Sequence, residues 1–232
     1  MTLPRPDCIL PTVIEFDPSN PFPLFLPGEC SYAEAKEHAK QIDAELGFQI
    51  DEIESKILSQ KTGRLETVQE KWIGLDAQSF LTPYIEIRTA LSLLDLKSEN
   101  QIVDLGCGYA RMAHVIGRHY PEVKFLGYEI VPERVTEAQR VLKNFNYPNV
   151  RVLEEDLFQS RPASASVYFI YDYGSNQAIS KTLRDLQEIS TGQSLQVIAR
   201  GKASRFLIHR DHPWLSEVHA PRHFDTFSIY QS

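Results

Sequence analysis

The segment Val103–Arg111, Val-Asp-Leu-Gly-Cys-Gly-Tyr-Ala-Arg, joins a predicted strand to a predicted helix through a glycine-containing turn. Gly106 and Gly108 have no Cβ, so they permit a tight turn and let a ligand approach the backbone closely. The N-terminus of the following helix adds free amide groups and the positive end of the helix dipole. This arrangement is compatible with any nucleotide-like ligand, and a Gly-x-Gly motif alone does not indicate which ligand binds.

Three acidic residues narrow the choice of ligand. Asp104 precedes the glycines. A carboxylate at this position does not attract the anionic pyrophosphate of a dinucleotide, but it attracts the positive groups of a sulfonium amino acid. Glu129 lies 21 residues beyond Gly108, at the end of the next predicted strand, where it can accept hydrogen bonds from both ribose hydroxyls. Asp156 follows a third strand and can accept from an adenine amino group, while Leu157 offers its backbone amide.

Alternating strands and helices must position these residues. Strands are predicted over 101–105, 123–128, 150–153, 167–171 and 194–199, with helices over 109–120, 132–145 and 177–189. This alternation predicts a parallel sheet with right-handed crossovers. The three acids then lie at the carboxyl ends of parallel strands, where open α/β sheets bind ligands. Two final strands, 218–223 and 226–230, predict an antiparallel hairpin that closes the sheet.

The first 30 residues contain half of the chain's 14 prolines. Proline fixes φ and donates no ladder hydrogen bond, so this arm is predicted to be neither a helix nor a central strand. Apolar residues such as Phe16, Phe22 and Phe25 lie among the prolines. We therefore expect the arm to pack on the rest of the protein.

Three helices are predicted between this arm and the first strand. Ser31-Tyr-Ala-Glu34 is typical of a capping box, and it predicts a helix that ends near Gly47. A second helix is predicted over 50–60, with Gly63 as its breaker. Thr82-Pro83 is typical of a helix start and predicts a third helix that runs to Leu96.

Composition excludes several classes of protein. The formal net charge of −7 removes the positive field that drives non-specific nucleic-acid binding, so nucleic acid is disfavoured as a partner. The three cysteines form no CxxC pair, and no carboxylate pattern accompanies the late histidines, so no metal site is predicted. No run approaches the roughly 18 apolar residues of a membrane helix, and the first residues lack the apolar core of a signal peptide. We therefore expect a cytoplasmic protein with no membrane partner.

The motifs Asp-Leu-Gly-Cys-Gly, Tyr-Glu-Ile, Glu-Asp-Leu-Phe and Tyr-Asp-Tyr, with the closing hairpin, resemble those of the class I S-adenosylmethionine-dependent methyltransferases. The resemblance covers about residues 79–232. It implies an α/β fold, a Rossmann-like three-layer sandwich whose mostly parallel seven-stranded sheet ends in an antiparallel hairpin. We accordingly divide the chain into a proline-rich arm and helical extension, residues 1–78, and a methyltransferase domain, residues 79–232.

The resemblance also implies S-adenosyl-L-methionine as the cofactor. It implies that Asp104, Gly106 and Gly108 face the methionine part, that Glu129 binds the ribose, and that Asp156 binds the adenine. Neighbouring residues in the same motifs are assigned to the same site: Cys107, Ile130 and Leu157. One departure is Ala110, which stands where many members of the family carry a third glycine.

Two segments further resemble the seven-strand protein lysine methyltransferases, Ser79-Phe-Leu-Thr-Pro-Tyr84 and Gly127-Tyr-Glu-Ile-Val-Pro132. In those enzymes a stretch with proline and aromatic residues lies over the cofactor, which implies cofactor contacts for Thr82 and Tyr84. The resemblance favours a protein acceptor, with lysine as the methylated side chain.

The catalytic candidates follow the fourth strand in Tyr171-Asp-Tyr-Gly-Ser175, a position beside the methyl group in the family fold. Asp172 and Tyr173 could orient an amine acceptor and take its proton. A simple turn at Gly174-Ser175 is the alternative interpretation of this segment. The absence of an Asn/Asp-Pro-Pro-Tyr motif argues against methylation of DNA adenine or of a glutamine amide.

The sequence is also compatible with other functions. The acceptor could be a small molecule, with the N-terminal extension as a lid over it. A non-catalytic scaffold that binds S-adenosylmethionine could keep the same fold. A nicotinamide-dependent oxidoreductase is disfavoured by Asp104 and by Arg111, which replaces the third glycine of the dinucleotide pattern.

Overall fold

The computed structural model describes residues 14–59 and 74–232. Within these ranges seven strands form one mixed sheet: β1 (Gln101–Leu105), β2 (Lys124–Glu129), β3 (Val150–Glu154), β4 (Val167–Tyr171), β5 (Gln196–Arg200), β6 (Arg222–His223) and β7 (Phe227–Gln231). The strand order is β3-β2-β1-β4-β5-β7-β6. Strands β1 to β5 pair in parallel, and β7 is antiparallel to both β5 and β6. The predicted α/β fold with its closing hairpin is confirmed.

Helices cover both faces of this sheet, and the described ones are α1 (Tyr32–Leu46), α2 (Ile50–Ser59), α3 (Tyr84–Ser92), α4 (Arg111–His119), α5 (Pro132–Leu142), α6 (Asn176–Ser190) and α7 (Lys202–Asp211). Short 3₁₀ helices span Ala77–Ser79 and Pro213–Leu215. Helices α3, α4 and α5 pack on one face, with α1 against α3, while α6 and α7 pack on the other. This is the three-layer arrangement that the sequence predicts.

Strand β1 shows how the sheet positions the site. Because side chains alternate along a strand, Ile102 packs into the core on the α3–α5 side, and Val103 and Leu105 pack into the core on the α6–α7 side. Asp104 therefore points to the same side as Ile102, one residue before the turn into α4. This places its carboxylate at the carboxyl edge of the sheet.

Two predicted helix boundaries near the site need correction, and one helix was not predicted. Helix α3 begins at Tyr84 with Pro83 as its N-cap, because the carbonyl of Pro83 accepts the first helical hydrogen bond from Ile87 N, 3.0 Å away, and it ends at Ser92. Helix α7 follows Gly201 and was absent from the prediction. Its first turn is capped by Asp172, a residue from the distant β4 end. A cap that comes from another element leaves no local sequence signal.

The arm and helix α1 pack on the elements that follow them in the chain. The predicted capping box is present, since Glu34 N donates to Ser31 Oγ (3.2 Å) and Ser31 N donates to Glu34 Oε2 (2.8 Å). In the arm, the Phe22 ring stacks on Tyr84 with a centroid distance of 5.1 Å, and the carbonyl of Phe25 accepts from Thr89 Oγ1 at 2.7 Å. Residues 1–13 of the arm and the predicted break at Gly63 lie outside the described residues.

Within the part of the chain that the structure describes, no helix has both the length and the apolar character needed to cross a bilayer.

Candidate active site

A cavity of about 450 Å³ opens at the carboxyl edge of the sheet. Its wall includes most of the predicted cofactor residues: Thr82, Asp104, Gly106, Cys107, Gly108, Glu129, Ile130, Asp156 and Leu157. These residues come from the segment before α3, from the β1 turn and from the ends of β2 and β3. The fold thus brings together residues that lie up to about 75 positions apart in sequence.

The glycine turn after β1 is tightly held. Gly106 has φ +86°, Gly108 has φ +55°, and Ala110 also adopts the left-handed conformation with φ 55°. A Cβ at Gly106 would lie 2.3 Å from the Cβ of Tyr173, and a Cβ at Gly108 would lie 3.1 Å from Leu81 Cδ2. Residue 106 therefore requires glycine for both its conformation and its space, as the sequence predicts for a turn of this kind.

Glu129 organises the turn from the end of β2. One carboxylate oxygen accepts from Gly108 N at 2.8 Å, and the other accepts from Ile130 N at 2.9 Å and Val131 N at 3.0 Å. The residue is only 5% exposed, yet it contributes to the cavity wall. Glu129 thus fixes the glycine turn relative to β2 and keeps a carboxylate edge at the cavity.

Asp104 presents a second carboxylate to the cavity. Burial and, to a smaller extent, the negative charge of Glu129 together raise the pKa of this carboxyl from 3.8 to about 7. A carboxyl in this state is poised to bind a positive group, because a nearby cation would favour its ionised form.

The loop after β3 forms another part of the wall. Asp156 Oδ1 accepts from Phe158 N at 2.9 Å, which shapes the loop, and Leu157 is buried. Lys181 of α6 donates to the carbonyl of Leu157 at 3.1 Å and also to the carbonyl of Ser160, and it forms an ion pair with Asp185 at 2.8 Å. Lys181 was not predicted from the sequence, because a lysine on a helix carries no signal of a contact 24 residues away.

Tyr84 does not line the cavity. Its side chain is fully buried, its ring stacks on Phe22, and its hydroxyl donates to Asp43 Oδ1 at 2.8 Å. Thr82, two residues earlier, does line the cavity. The predicted cofactor contact of Tyr84 stays a prediction, and its present contacts are with the N-terminal extension.

The two predicted catalytic residues have different surroundings. The Asp172 carboxylate accepts from Ala203 N (3.1 Å), Ser204 N (2.7 Å) and Ser204 Oγ (2.7 Å), so it caps α7. It is not part of the cavity wall, whereas Tyr173 is. The Tyr173 hydroxyl shares a 2.6 Å hydrogen bond with Thr182 Oγ1, and burial raises the pKa of this tyrosine. Their catalytic roles stay predictions.

Near the end of β5, the buried Arg200 forms the centre of a cluster that was not predicted from the sequence. Its guanidinium lies 4.2 Å from the ring centroid of Tyr171, a cavity residue, and 5.2 Å from that of Tyr32 on α1. Its Nε and Nη2 donate to the two carboxylate oxygens of Glu86 at 2.7 and 3.3 Å. The cluster fixes the Tyr171 ring at the edge of the cavity.

The sheet order, the glycine turn and the acids at the strand ends define a Rossmann-like class I methyltransferase. The solved structure of precorrin-6y C5,15-methyltransferase from Geobacter metallireducens shares this fold, with a TM-score of 0.50 and 15% identity over 68% of this chain and 92% of that chain. The family model of O-methyltransferase domains matches residues 66–195. This is more than half of the 232 residues, so the chain belongs to that family and is an S-adenosylmethionine-dependent methyltransferase.

Two further solved structures are similar to this chain. Human N-acetylserotonin methyltransferase, solved with S-adenosylmethionine, is 23% identical over 50% of this chain, with a TM-score of 0.40. The chain matches only 34% of the length of that human protein. An RNA methyltransferase from Salinibacter ruber, solved with S-adenosylhomocysteine, is 20% identical over 65% of this chain and 90% of that chain, with a TM-score of 0.46. No curated protein matches the chain in sequence.

The residues of the cavity fit S-adenosylmethionine. Gly106 and Gly108 form part of the cavity wall, so a ligand in the cavity can lie against the turn. The open carboxylate of Asp104 suits the positive sulfonium and ammonium groups of this cofactor. Glu129 and Asp156, at the ends of neighbouring strands, suit hydroxyl and amino donors.

Cofactor affinity is expected to increase as the pH rises towards about 7, the pKa of Asp104 in the free protein. Below that pH a cationic ligand must displace the proton of Asp104, so affinity falls by up to about tenfold per pH unit. Above that pH the carboxyl is already ionised, and this dependence disappears. Titrations with S-adenosylmethionine between about pH 5.5 and about pH 8.5 test the profile. Asp104→Asn should flatten it, and an unchanged pH profile in this variant would exclude Asp104 as its source.

Proposed function

We propose that the protein N-methylates a protein side chain, with lysine as the favoured acceptor. The proposal rests on the part of the cavity next to β4, where Phe80, Tyr171, Tyr173 and Gly174 line the wall. Pockets for ligands of drug size measure about 300–1,000 Å³. The cavity of about 450 Å³ lies within this range, and its aromatic part is proposed to receive a slender group beside the cofactor. An extended lysine side chain is such a group.

The chemistry of this wall favours an amine over a hydroxyl. A lysine amine attacks once it is neutral, and burial among aromatic groups lowers its pKa without a dedicated base. An alcohol or phenol acceptor gains more from a base within hydrogen-bond reach. Among the described residues of the cavity wall none is a histidine, and the carboxylates belong to the β1, β2 and β3 ends: Asp104, Glu129, Glu155 and Asp156.

The remaining assignments complete the proposed site. Bound S-adenosylmethionine supplies an electrophilic methyl group on a sulfonium, which an in-line displacement transfers to the acceptor nitrogen. The residues proposed to hold the cofactor are Asp104, Gly106, Cys107 and Gly108 at the methionine part, Glu129 and Ile130 at the ribose, Asp156 and Leu157 at the adenine, and Thr82 above it. Tyr173 bounds the acceptor side, and Asp172 holds the β4 turn in place by capping α7.

O-methylation of a small molecule is the second candidate. It is favoured by the family model, which describes an O-methyltransferase domain. In that case helices α1 and α2, which pack over the domain, would cover a small acceptor as a lid.

Transfer from methyl-tritiated S-adenosylmethionine in a lysate separates the two candidates. We expect label in a discrete protein band and, after hydrolysis, in methylated lysine. Glu129→Ala should abolish the label, and Glu154→Ala, a change of an exposed carboxylate on the neighbouring strand end, should retain it. Label confined to the acid-soluble fraction would overturn the proposal and support a small-molecule acceptor.

A further inference from the structure

Two arginines line the cavity that we assign to a cationic cofactor. Arg111, at the start of α4, and Arg134, in α5, each contribute to the wall, and each is only 3% exposed. S-adenosylmethionine carries a positive sulfonium and a positive ammonium group. Buried guanidinium groups beside these charges would repel them, since charges interact strongly where water is excluded.

The N-terminal extension supplies a carboxylate to each of these arginines. Asp43 of α1 accepts from Nε of Arg111 at 3.1 Å and also pairs with its Nη2. Glu54 of α2 accepts from Arg134 Nε at 2.8 Å and from Arg134 Nη2 at 3.0 Å. Both ion pairs have the two-bond geometry that holds a guanidinium most firmly.

Both carboxylates have little exposure to solvent and accept a further hydrogen bond, so their positions are fixed. The Asp43 side chain is 8% exposed and also accepts from Tyr84 Oη at 2.8 Å. The Glu54 side chain is 11% exposed and also accepts from Tyr109 Oη at 2.8 Å. Ion pairs formed out of water are screened little by salt. The extension therefore contributes two fixed negative charges, each of which is paired with an arginine of the cavity wall.

We propose that Asp43 and Glu54 are positioning residues of the cofactor site, which neutralise Arg111 and Arg134 and thereby raise the affinity of the cavity for S-adenosylmethionine relative to that for S-adenosylhomocysteine. This inference rests on the assignment of the cavity as the cofactor site. The substrate and the product differ by the positive charge on sulfur. A charge added next to the cavity therefore acts more strongly on the substrate than on the product. The extension thereby limits inhibition by the product.

The test compares the dissociation constants of the two ligands by isothermal titration. For Asp43→Asn the ratio of the dissociation constant of S-adenosylmethionine to that of S-adenosylhomocysteine should rise by about 3- to 10-fold. This is the effect expected of one uncompensated positive charge, that of Arg111, at an intermediate dielectric constant. The double variant Asp43→Asn with Arg111→Gln removes both charges and should restore the wild-type ratio. Glu37→Gln is the matched control, because it removes the same charge from an exposed position of α1.

Loss of one partner from a buried ion pair can weaken the fold, so Glu54→Gln, which keeps an acceptor for Tyr109, provides an independent variant. Its ratio should rise in the same direction as that of Asp43→Asn. Equal weakening of both ligands, or no change in the ratio in either folded variant, would overturn the inference and leave the carboxylates a purely structural role. Failure of the wild-type protein to bind either ligand would instead contradict the assignment of the cavity.

Discussion

Gly106→Ala is expected to weaken S-adenosylhomocysteine binding at least about 100-fold, and to lower the free energy of unfolding by about 2–5 kcal/mol. Two costs add at this residue. Its φ of +86° is unfavourable for alanine, and the new Cβ would lie 2.3 Å from the Cβ of Tyr173. Relief of this overlap must move either the turn or Tyr173, and both line the cavity. Denaturant unfolding and isothermal titration measure the two effects.

Gly47→Ala is the matched control for this prediction. Gly47 ends α1 with φ +77°, and no atom lies within 4 Å of the place where its Cβ would be. This variant therefore isolates the backbone cost, which is about 1 kcal/mol, and should bind the ligand as the wild type does. Equal stability loss in the two variants would show that the contact with Tyr173 relaxes without cost and that the turn is not sterically closed.

Glu129→Ala is expected to abolish measurable cofactor binding and to lower the free energy of unfolding by about 2–4 kcal/mol. The variant removes the acceptor for three backbone amides, those of Gly108, Ile130 and Val131. Partly buried donors without an acceptor destabilise the fold, and the glycine turn loses its tie to β2. The ribose hydroxyls lose their proposed partner at the same time.

A conservative variant separates the two roles of Glu129. Glu129→Gln keeps the size of the side chain and one acceptor oxygen, so it should retain more stability than the alanine variant and weaken binding by about tenfold. Glu154→Ala, on the neighbouring strand position, should change neither property, because Glu154 is exposed and lies outside the cavity wall. Wild-type affinity in Glu129→Ala would remove this residue from the cofactor site.

The acids and glycines that line the cavity could be predicted from the sequence because their placement depends on local geometry. Glycines between a strand and a helix, and acids at strand ends, lie at one edge of a parallel sheet, and this placement does not depend on the conformation of the loops. Asp104, Glu129 and Asp156 therefore line the cavity as their positions in the motifs imply. The three hydrogen bonds that Glu129 accepts from backbone amides were not predictable, since they depend on the torsions of its side chain.

Contacts between distant segments account for what the sequence did not predict. The Arg111–Asp43 pair joins residues 68 positions apart, and nothing in either segment points to the other. Phe22 of the arm and Asp43 of α1 hold Tyr84 in the core, and the sequence around the tyrosine points to neither contact. Helix α7 was missed for a related reason, because its cap, Asp172, comes from the end of β4.

Isothermal titration with S-adenosylhomocysteine tests most directly whether the cavity at the carboxyl edge of the sheet binds the cofactor. We predict one site per chain, competition by S-adenosylmethionine, and loss of the signal in Glu129→Ala but not in Glu154→Ala. Binding should also raise the melting temperature. At a ligand concentration 100 times the dissociation constant, the free energy of unfolding should increase by about 2.7 kcal/mol. A wild-type protein that gives no heat and no thermal shift at saturating ligand would contradict the account.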